Sequence, residues 1–191
     1  MTLCLAVLRI QYSSNEGPKK KLTKLIEYLQ KNGVYFVREA VIAYRFFKDR
    51  DAVPIMNVLN KGGKHTDILS KIDNLAWDMT LPRYMEIYTA VNAPEDFMIP
   101  LCLTFDQKLL ELIRCFFVKA VIIDRSTDIV ISVPLSNTMA FFQDEGCVEV
   151  FANFKSVENW GKRHAIKQPT IDKLARQIDI ECDALKAVLD S

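Results

Sequence analysis

The stretch MIPLCLTFDQKLLELIRCFFVKAVIID, residues 98–124, governs the predicted architecture. Residues 98–105 are almost continuously apolar, as expected of a strand that is covered on both faces, and residues 118–123 form a second such run. Residues 107–115, between the two runs, have the apolar spacing of a helix. A strand, a helix and a strand in this order predict a βαβ unit, and therefore a parallel sheet with a right-handed crossover.

The segments on either side of this unit add further predicted strands and helices. Residues 129–133 are expected to pair with the strand that precedes them. The remaining strands are predicted at residues 3–10, 34–37 and 148–154, and the remaining helices at residues 19–31, 39–48, 52–59, 68–91 and 136–143. Together these elements predict an α/β domain with a mostly parallel sheet flanked by helices, over residues 1–155.

The tail, residues 156–191, has a different pattern. Thr170 is placed to cap a helix, and apolar residues follow at helical spacing as far as Leu189. A break near Asp179 predicts two short helices, which form an appended helical hairpin. We expect residues 170–189 to mediate homodimer formation or contact with a partner protein. The same spacing occurs in a helix-turn-helix, so binding of DNA by the tail is an alternative.

Composition excludes several classes of protein. With 50% hydrophobic residues the chain is too apolar for intrinsic disorder, and no apolar run approaches the length that spans a bilayer. Its five cysteines are scattered and include no CxxC pair, which excludes a zinc cluster and a disulfide scaffold. We therefore expect a soluble protein of the reducing cytoplasm, without a membrane segment.

Charge is distributed unevenly along the chain. Residues 1–64 contain 12 Lys and Arg and 5 Asp and Glu, a net charge of +7, whereas the other 127 residues have a net charge of −6. Such asymmetry is typical of a basic surface that faces a polyanion, although exposed lysines that keep the chain in solution would produce it too. The residues expected to contact nucleic-acid phosphates are Lys19, Lys20, Lys21, Arg45, Lys48 and Arg50.

Carboxylates are the main candidates for chemistry, because the chain has only two histidines and none of the standard phosphate-loop, dinucleotide or hydrolase motifs. Asp106 and Asp124 each follow a predicted strand, and Asp78 lies in a predicted helix. Carboxylates that converge at one edge of a parallel sheet would repel one another unless Mg²⁺ or Mn²⁺ neutralised them. Singly, Asp106 and Asp78 also suit helix caps, and Asp124 suits a turn.

The stretch from Asp78 to Leu110 resembles the second half of PIN-like nuclease domains. In that family, one metal-binding acid opens a late helix and another ends the following strand, in a T-x-D-x-x-L context. The resemblance implies that Asp78 and Asp106 hold Mg²⁺ or Mn²⁺ and that Glu39 is a third catalytic acid. The position of Asp124 after a predicted strand makes it a further candidate metal ligand. The resemblance also implies metal-dependent cleavage of RNA or single-stranded nucleic acid.

The chain departs from that family at its first predicted strand. PIN-like domains have an aspartate near the end of this strand, and residues 3–10 contain none. The alternative is therefore a catalytically inactive interaction protein, which binds a partner or a nucleic acid without cleaving it.

Overall fold

A computed structural model of the 191-residue chain describes residues 1–34, 36–59, 67–90, 101–115, 118–124, 126, 129–134, 137–156, 158, 161–162, 165–166 and 170–191. The α-helices described there are α1 (Thr2–Ser13), α2 (Pro18–Lys31), α3 (Val37–Lys48), α4 (Ile68–Ala90), α5 (Gln107–Arg114), α6 (Thr138–Asp144), α7 (Val148–Lys155) and α8 (Ile171–Leu189). Two 3₁₀ turns, Arg50–Ala52 and Pro54–Met56, follow α3, and the strands are β1 (Val118–Asp124) and β2 (Ile129–Pro134).

The predicted α/β class is wrong, because the described residues are mainly helical. Strands β1 and β2 pair with each other in antiparallel register, from Ala120 opposite Val133 to Asp124 opposite Ile129. This pairing was predicted, but the described residues contain no parallel strands. The PIN-like arrangement of a parallel sheet between layers of helices is therefore absent from the part of the chain that the structure describes.

The chain divides into two compact units. The larger unit consists of residues 1–75 and 138–191, and the smaller unit consists of residues 76–137. In the larger unit α1 packs against α2 and α8, α2 packs against α3 and α7, and α6 packs against α3 and α7. This division differs from the expected boundary at residue 156, because α8 packs on α1 instead of forming a separate appendage.

Helix α1 includes residues 3–10, which were predicted to form a strand. Its side chains are buried from Cys4 through Leu8, and Ile10 and Tyr12 are buried as well. Residues 3–8 are apolar without a polar position among them, so this part of the helix lacks the polar face that reveals an ordinary surface helix. A short apolar run is also what a fully buried strand shows, and periodicity does not separate the two.

The strand predicted at residues 148–154 is also wrong, because these residues lie in helix α7. Phe151 and Phe154, three residues apart, are both fully buried, which is the spacing of one helix face. The ring of Phe151 stacks on Phe142 of α6 with 4.5 Å between centroids. Packing of the phenylalanines on helical spacing thus outweighs the strand preference of Val148 and Val150.

Three other predicted elements also differ from the structure. One is the strand predicted at residues 34–37, because residues 34 and 36 have no regular secondary structure and Val37 begins α3. Of the strand predicted at residues 98–105, residues 98–100 lie outside the described residues, and residues 101–106 have no regular secondary structure. The helix predicted at residues 52–59 is replaced by the 3₁₀ turns. In contrast, the long helix around Pro82 is confirmed as α4, and the helices at residues 107–115 and 136–143 are confirmed as α5 and α6.

The tail forms one helix, so the predicted break near Asp179 and the helical hairpin are wrong. The Thr170 cap is confirmed, because its Oγ1 accepts a hydrogen bond of 3.3 Å from the backbone N–H of Lys173. The second half of α8 is buried through Glu181, Cys182, Leu185 and Leu189. Because α8 is one continuous helix, it contains no turn between two helices, and the helix-turn-helix alternative is wrong for residues 171–189.

An ion pair joins α1 to α8. Arg9 Nε donates to Glu181 Oε2 at 2.8 Å, and the side chain of Glu181 is largely buried. One turn earlier in α8, Gln177 Nε2 donates to Asn32 Oδ1 at 2.8 Å, at the end of α2. These polar contacts fix the orientation of α8 on the core. Apolar packing is not directional, so it would specify this orientation less precisely.

Replacing Leu8 by alanine should strongly destabilise the larger unit. Leu8 is fully buried in α1, and a cavity at such a site costs about 3 kcal/mol of unfolding free energy. The matched control is Ile180→Ala, at a mostly exposed position of α8. Urea unfolding, monitored by circular dichroism, should show a clearly lower free energy of unfolding for the Leu8 variant and an almost unchanged value for the control. Equal effects would contradict the enclosure of α1.

Replacing Glu181 by glutamine should lower the unfolding free energy by about 1–2 kcal/mol. This value lies between the losses that follow from breaking exposed ion pairs and fully buried ones. The substitution removes the carboxylate and leaves the guanidinium of Arg9 without its charged partner. Asp183→Asn is the control, because Asp183 pairs with Lys186 on the exposed side of the same helix. Thermal unfolding of both variants would measure the difference between their stabilities. A larger loss of stability for Asp183→Asn than for Glu181→Gln would refute this account of how α8 packs on α1.

Candidate functional site

Asp106 is the N-cap of α5. Its Oδ1 accepts hydrogen bonds from the backbone N–H groups of Lys108, at 2.8 Å, and Leu109, at 3.2 Å. The backbone N–H of Asp106 in turn donates to Thr104 Oγ1 at 3.0 Å. One carboxylate oxygen therefore holds the start of the helix. The capping role that the sequence allowed for Asp106 is thus confirmed.

Asp78 lies on α4, in the same unit as Asp106, and its side chain is half-buried. Burial raises the pKa of the Asp78 carboxyl, and the negative charge of Asp106 raises it further. Asp78 and Asp106 thus belong to one unit, and a shared ion between their carboxylates stays a prediction.

The other two predicted acids have separate environments. Glu39 is buried in α3 of the larger unit, where its charge contributes to raising the pKa of the Cys4 thiol, chiefly a burial effect, to about 11. Asp124 accepts hydrogen bonds from the backbone N–H of Ser126, at 2.9 Å, and from its hydroxyl, at 2.6 Å. Asp124 is therefore a turn residue at the end of β1, as its alternative interpretation predicted.

The described residues contain no group of three or more His, Cys, Asp or Glu side chains that could hold a metal ion. The expected metal-binding cluster is therefore not found in the described part of the chain, and the α/β PIN-like fold is corrected with it. Binding of Mg²⁺ or Mn²⁺ and metal-dependent cleavage of nucleic acid stay predictions.

Two of the lysines expected to contact phosphates are engaged within the larger unit. Lys21 is buried, and its Nζ donates to the backbone oxygen of Gln11 at 3.1 Å and to Gln11 Oε1 at 2.9 Å. Burial lowers the pKa of Lys21. Lys48 Nζ donates to both carboxylate oxygens of Glu145 at 2.9 Å, which ties α3 to the turn between α6 and α7.

Both arginines of the predicted set also have partners within the fold. The guanidinium of Arg45 lies 5.3 Å from the ring centroid of Phe141, and that of Arg50 lies 5.2 Å from the ring centroid of Tyr12. Lys19 and Lys20 are exposed on α2. Four of the six residues thus contribute to packing or ion pairing, which accounts for part of the positive charge of residues 1–64. Contact with nucleic acid stays a prediction.

Large apolar side chains are exposed in the smaller unit, and the sequence analysis missed them. Leu101, Leu103 and Phe105 are 92%, 90% and 92% exposed, just before the Asp106 cap. On α4, Trp77 is 62% exposed, and Tyr84 lies seven residues later on the same helix face. The sequence carries no signal of this exposure, because an almost continuous apolar run predicts a buried strand.

Both exposed groups belong to the smaller unit and each adjoins an acid, since Asp78 follows Trp77 and Asp106 follows Phe105 in the chain. The negative charge of Asp106 contributes, after burial, to the raised pKa of Asp78. We use the term acidic–apolar surface for these residues of the smaller unit, which are Trp77, Asp78, Leu101, Leu103, Phe105 and Asp106. The set combines exposed apolar area with negative charge.

No protein-family model, curated protein or solved structure matches the chain. Among the described residues, no helix is both long enough and apolar enough to cross a membrane. Any functional assignment therefore depends on the geometry of the chain itself.

Replacing Asp106 by asparagine should lower the pKa of Asp78 while leaving it above the ordinary range. The substitution removes one of the two causes of the raised pKa, and burial, the larger cause, remains. Because protonation of Asp78 is favoured in the fold, its contribution to stability decreases as pH rises from the ordinary carboxyl pKa through the raised one. Asparagine caps helices nearly as well as aspartate, so α5 should remain folded.

The pKa of Asp78 can be measured by carboxyl-detected NMR during a pH titration. Glu111→Gln, an exposed carboxylate of α5, is the control and should leave the pKa of Asp78 unchanged. An identical Asp78 titration in the wild type and in the Asp106 variant would show that the two carboxylates do not interact.

Proposed function

We propose that the chain is a non-enzymatic binding protein, and that its smaller unit holds a partner protein on the acidic–apolar surface. One observation carries the proposal, which is that Leu101, Leu103 and Phe105 are each at least 90% exposed next to each other in the chain. A single exposed leucine is ordinary, whereas a contiguous group of large apolar side chains marks a surface for association.

The free energy of association supports a partner of substantial size. Burying Leu101, Leu103 and Phe105 contributes about 2 kcal/mol each, while association costs at least about 4 kcal/mol in lost translation and rotation. Three side chains alone thus give weak binding, and a stable complex needs additional contacts. Trp77 and Tyr84 can supply them, because exposed Trp and Tyr are the residue types that contribute most at protein interfaces.

The expected interface within residues 170–189 fits less well. The second half of α8 is already buried, at Cys182, Leu185 and Leu189, and α8 packs against α1 of the same chain. In its first half, Ile171 is 85% exposed and Leu174 is partly exposed. Dimer formation or partner binding through this helix remains a prediction, restricted to its N-terminal half.

The proposed function requires a reducing compartment such as the cytoplasm. All five cysteines are free thiols, and Cys102 is exposed beside Leu101 and Leu103. An exposed thiol within a binding surface is compatible with function where thiols stay reduced.

A double substitution, Leu103→Ser with Phe105→Ser, should abolish partner binding without affecting the fold. Both side chains are almost fully exposed, so their loss should change stability by less than about 0.5 kcal/mol. Peptides selected from a random display library on the full wild-type chain should bind the double variant at least about tenfold more weakly.

Ile171→Ser is the matched control, because Ile171 is equally exposed but belongs to the larger unit. It should retain full affinity for the selected peptides. Selected peptides that bind the Leu103 and Phe105 variant as tightly as the wild type would refute the proposed surface, as would a selection that yields no binding peptide.

A further inference from the structure

Helix α4 has a row of exposed aromatic residues within the smaller unit. Met79 and Pro82, three residues apart, are buried on one side of the helix. Trp77, Tyr84 and Tyr88 lie on the opposite side, and all three side chains are largely exposed. We use the term aromatic face for these three residues. Because their rings contribute little to the core, the fold does not require aromatic residues there, and a role in binding accounts for them.

The rings of the aromatic face follow one another along the helix axis. Trp77 and Tyr84 are two turns apart, a distance of about 10 Å at the rise of an α-helix. The rings of Tyr84 and Tyr88 are neighbours, with 6.5 Å between their centroids. A ligand that contacts the whole aromatic face is therefore extended, and it presents contact groups about 10 Å apart.

The charge around the aromatic face favours a partner that is not an anion. Residues 76–90 contain one basic residue, Arg83, which shares a side of the helix with the buried Met79. The smaller unit as a whole has five basic and eight acidic residues, a net charge of −3. A nucleic-acid strand that stacked its bases on the rings would need cations along its phosphates, which this side of α4 does not provide.

Hydrogen-bond donors on the rings distinguish between the possible conformations of a peptide partner. The indole N–H of Trp77 and the hydroxyl of Tyr84 have no hydrogen-bond partner within the described part of the chain. A helix that packed on these rings would leave the donors unsatisfied, because its own carbonyls are bonded within the helix. A polyproline II segment has no internal hydrogen bonds, so its carbonyls can accept from both donors.

The spacing of the rings matches the repeat of a polyproline II helix. Such a segment has three residues per turn, so prolines at every third position recur about 9 Å apart on one side. This repeat is close to the separation of about 10 Å between Trp77 and Tyr84. In an extended strand, side chains on one face recur about every 7 Å, which is a poorer match.

We infer that the aromatic face binds a proline-rich segment of the partner protein in the polyproline II conformation. One proline lies on Trp77, and the proline three residues away lies on Tyr84 and Tyr88. Such a segment is ordered before it binds, so it loses little conformational entropy on an aromatic surface. This inference rests on the proposed function, because it names the chemistry of a segment of the same partner.

The test uses two capped, fluorescein-labelled peptides of equal length and net charge. In one peptide, proline occupies every third position among alanine and glutamine residues, and in the other, leucine replaces each proline. Fluorescence anisotropy would measure the binding of both peptides to the full chain. The proline peptide should bind at least about fivefold more tightly than the leucine peptide, the ratio expected from one additional hydrogen bond.

Two variants of the chain identify where the proline peptide binds. Trp77→Ser with Tyr84→Ser removes two exposed rings and should weaken binding of this peptide at least about tenfold. Leu69→Ser is the matched control, because Leu69 is an exposed apolar residue of the same helix but belongs to the larger unit. It should leave the affinity unchanged. Circular dichroism would verify that both variants are folded.

Failure of the inference is distinguishable from failure of the proposed function. If library peptides depend on Leu103 and Phe105, but the proline peptide binds nowhere or binds the double variant equally well, the inference is overturned and the proposed function stands. A leucine peptide that binds these rings as tightly as the proline peptide would also overturn the inference, as would an oligothymidylate strand that binds them in place of the proline peptide. If no library peptide depends on Leu103 and Phe105, the proposed function fails as well.

Discussion

The larger unit depends on the enclosure of α1. Seven of the twelve residues of this helix are buried and apolar, and only a surround of other elements can keep such a surface away from water. Helix α2, which follows α1 in the chain, and helix α8, which is distant in sequence, pack against it. The ion pair between Arg9 and Glu181 then sets the orientation of α8, since a partly buried charge is costly wherever its partner is absent. Removal of α8 would therefore expose the core itself.

The two units use charge differently. In the larger unit, Lys21 and Lys48 donate to Gln11 and Glu145, so positive charge stabilises the fold. In the smaller unit, negative charge acts against ionisation, because the charge of Asp106 contributes, after burial, to the raised pKa of Asp78.

Much of the local structure could be predicted from the sequence. The Thr170 cap, the long helix around Pro82, helix α5 and the pairing of β1 with β2 follow from capping residues, spacing and β-branched runs. Convergence of Asp78 and Asp106 stays a prediction, and the parallel sheet that was expected to position them is absent from the described residues. The exposure of Leu101, Leu103 and Phe105 could not be predicted, because an almost continuous apolar run is typical of a strand buried on both faces.

Short-range patterns were sufficient where a few neighbouring residues control the outcome, as in a side-chain cap or a repeating helical face. They failed for residues 3–10 and 148–154, since an apolar run is compatible with either a strand or a helix until its neighbours are known. Backbone hydrogen bonds form equally well within a helix or between strands, so packing partners distant along the chain select between them. In this protein those partners are helices, and long-range contact made α1 and α7 helical and left the acidic–apolar surface open to solvent.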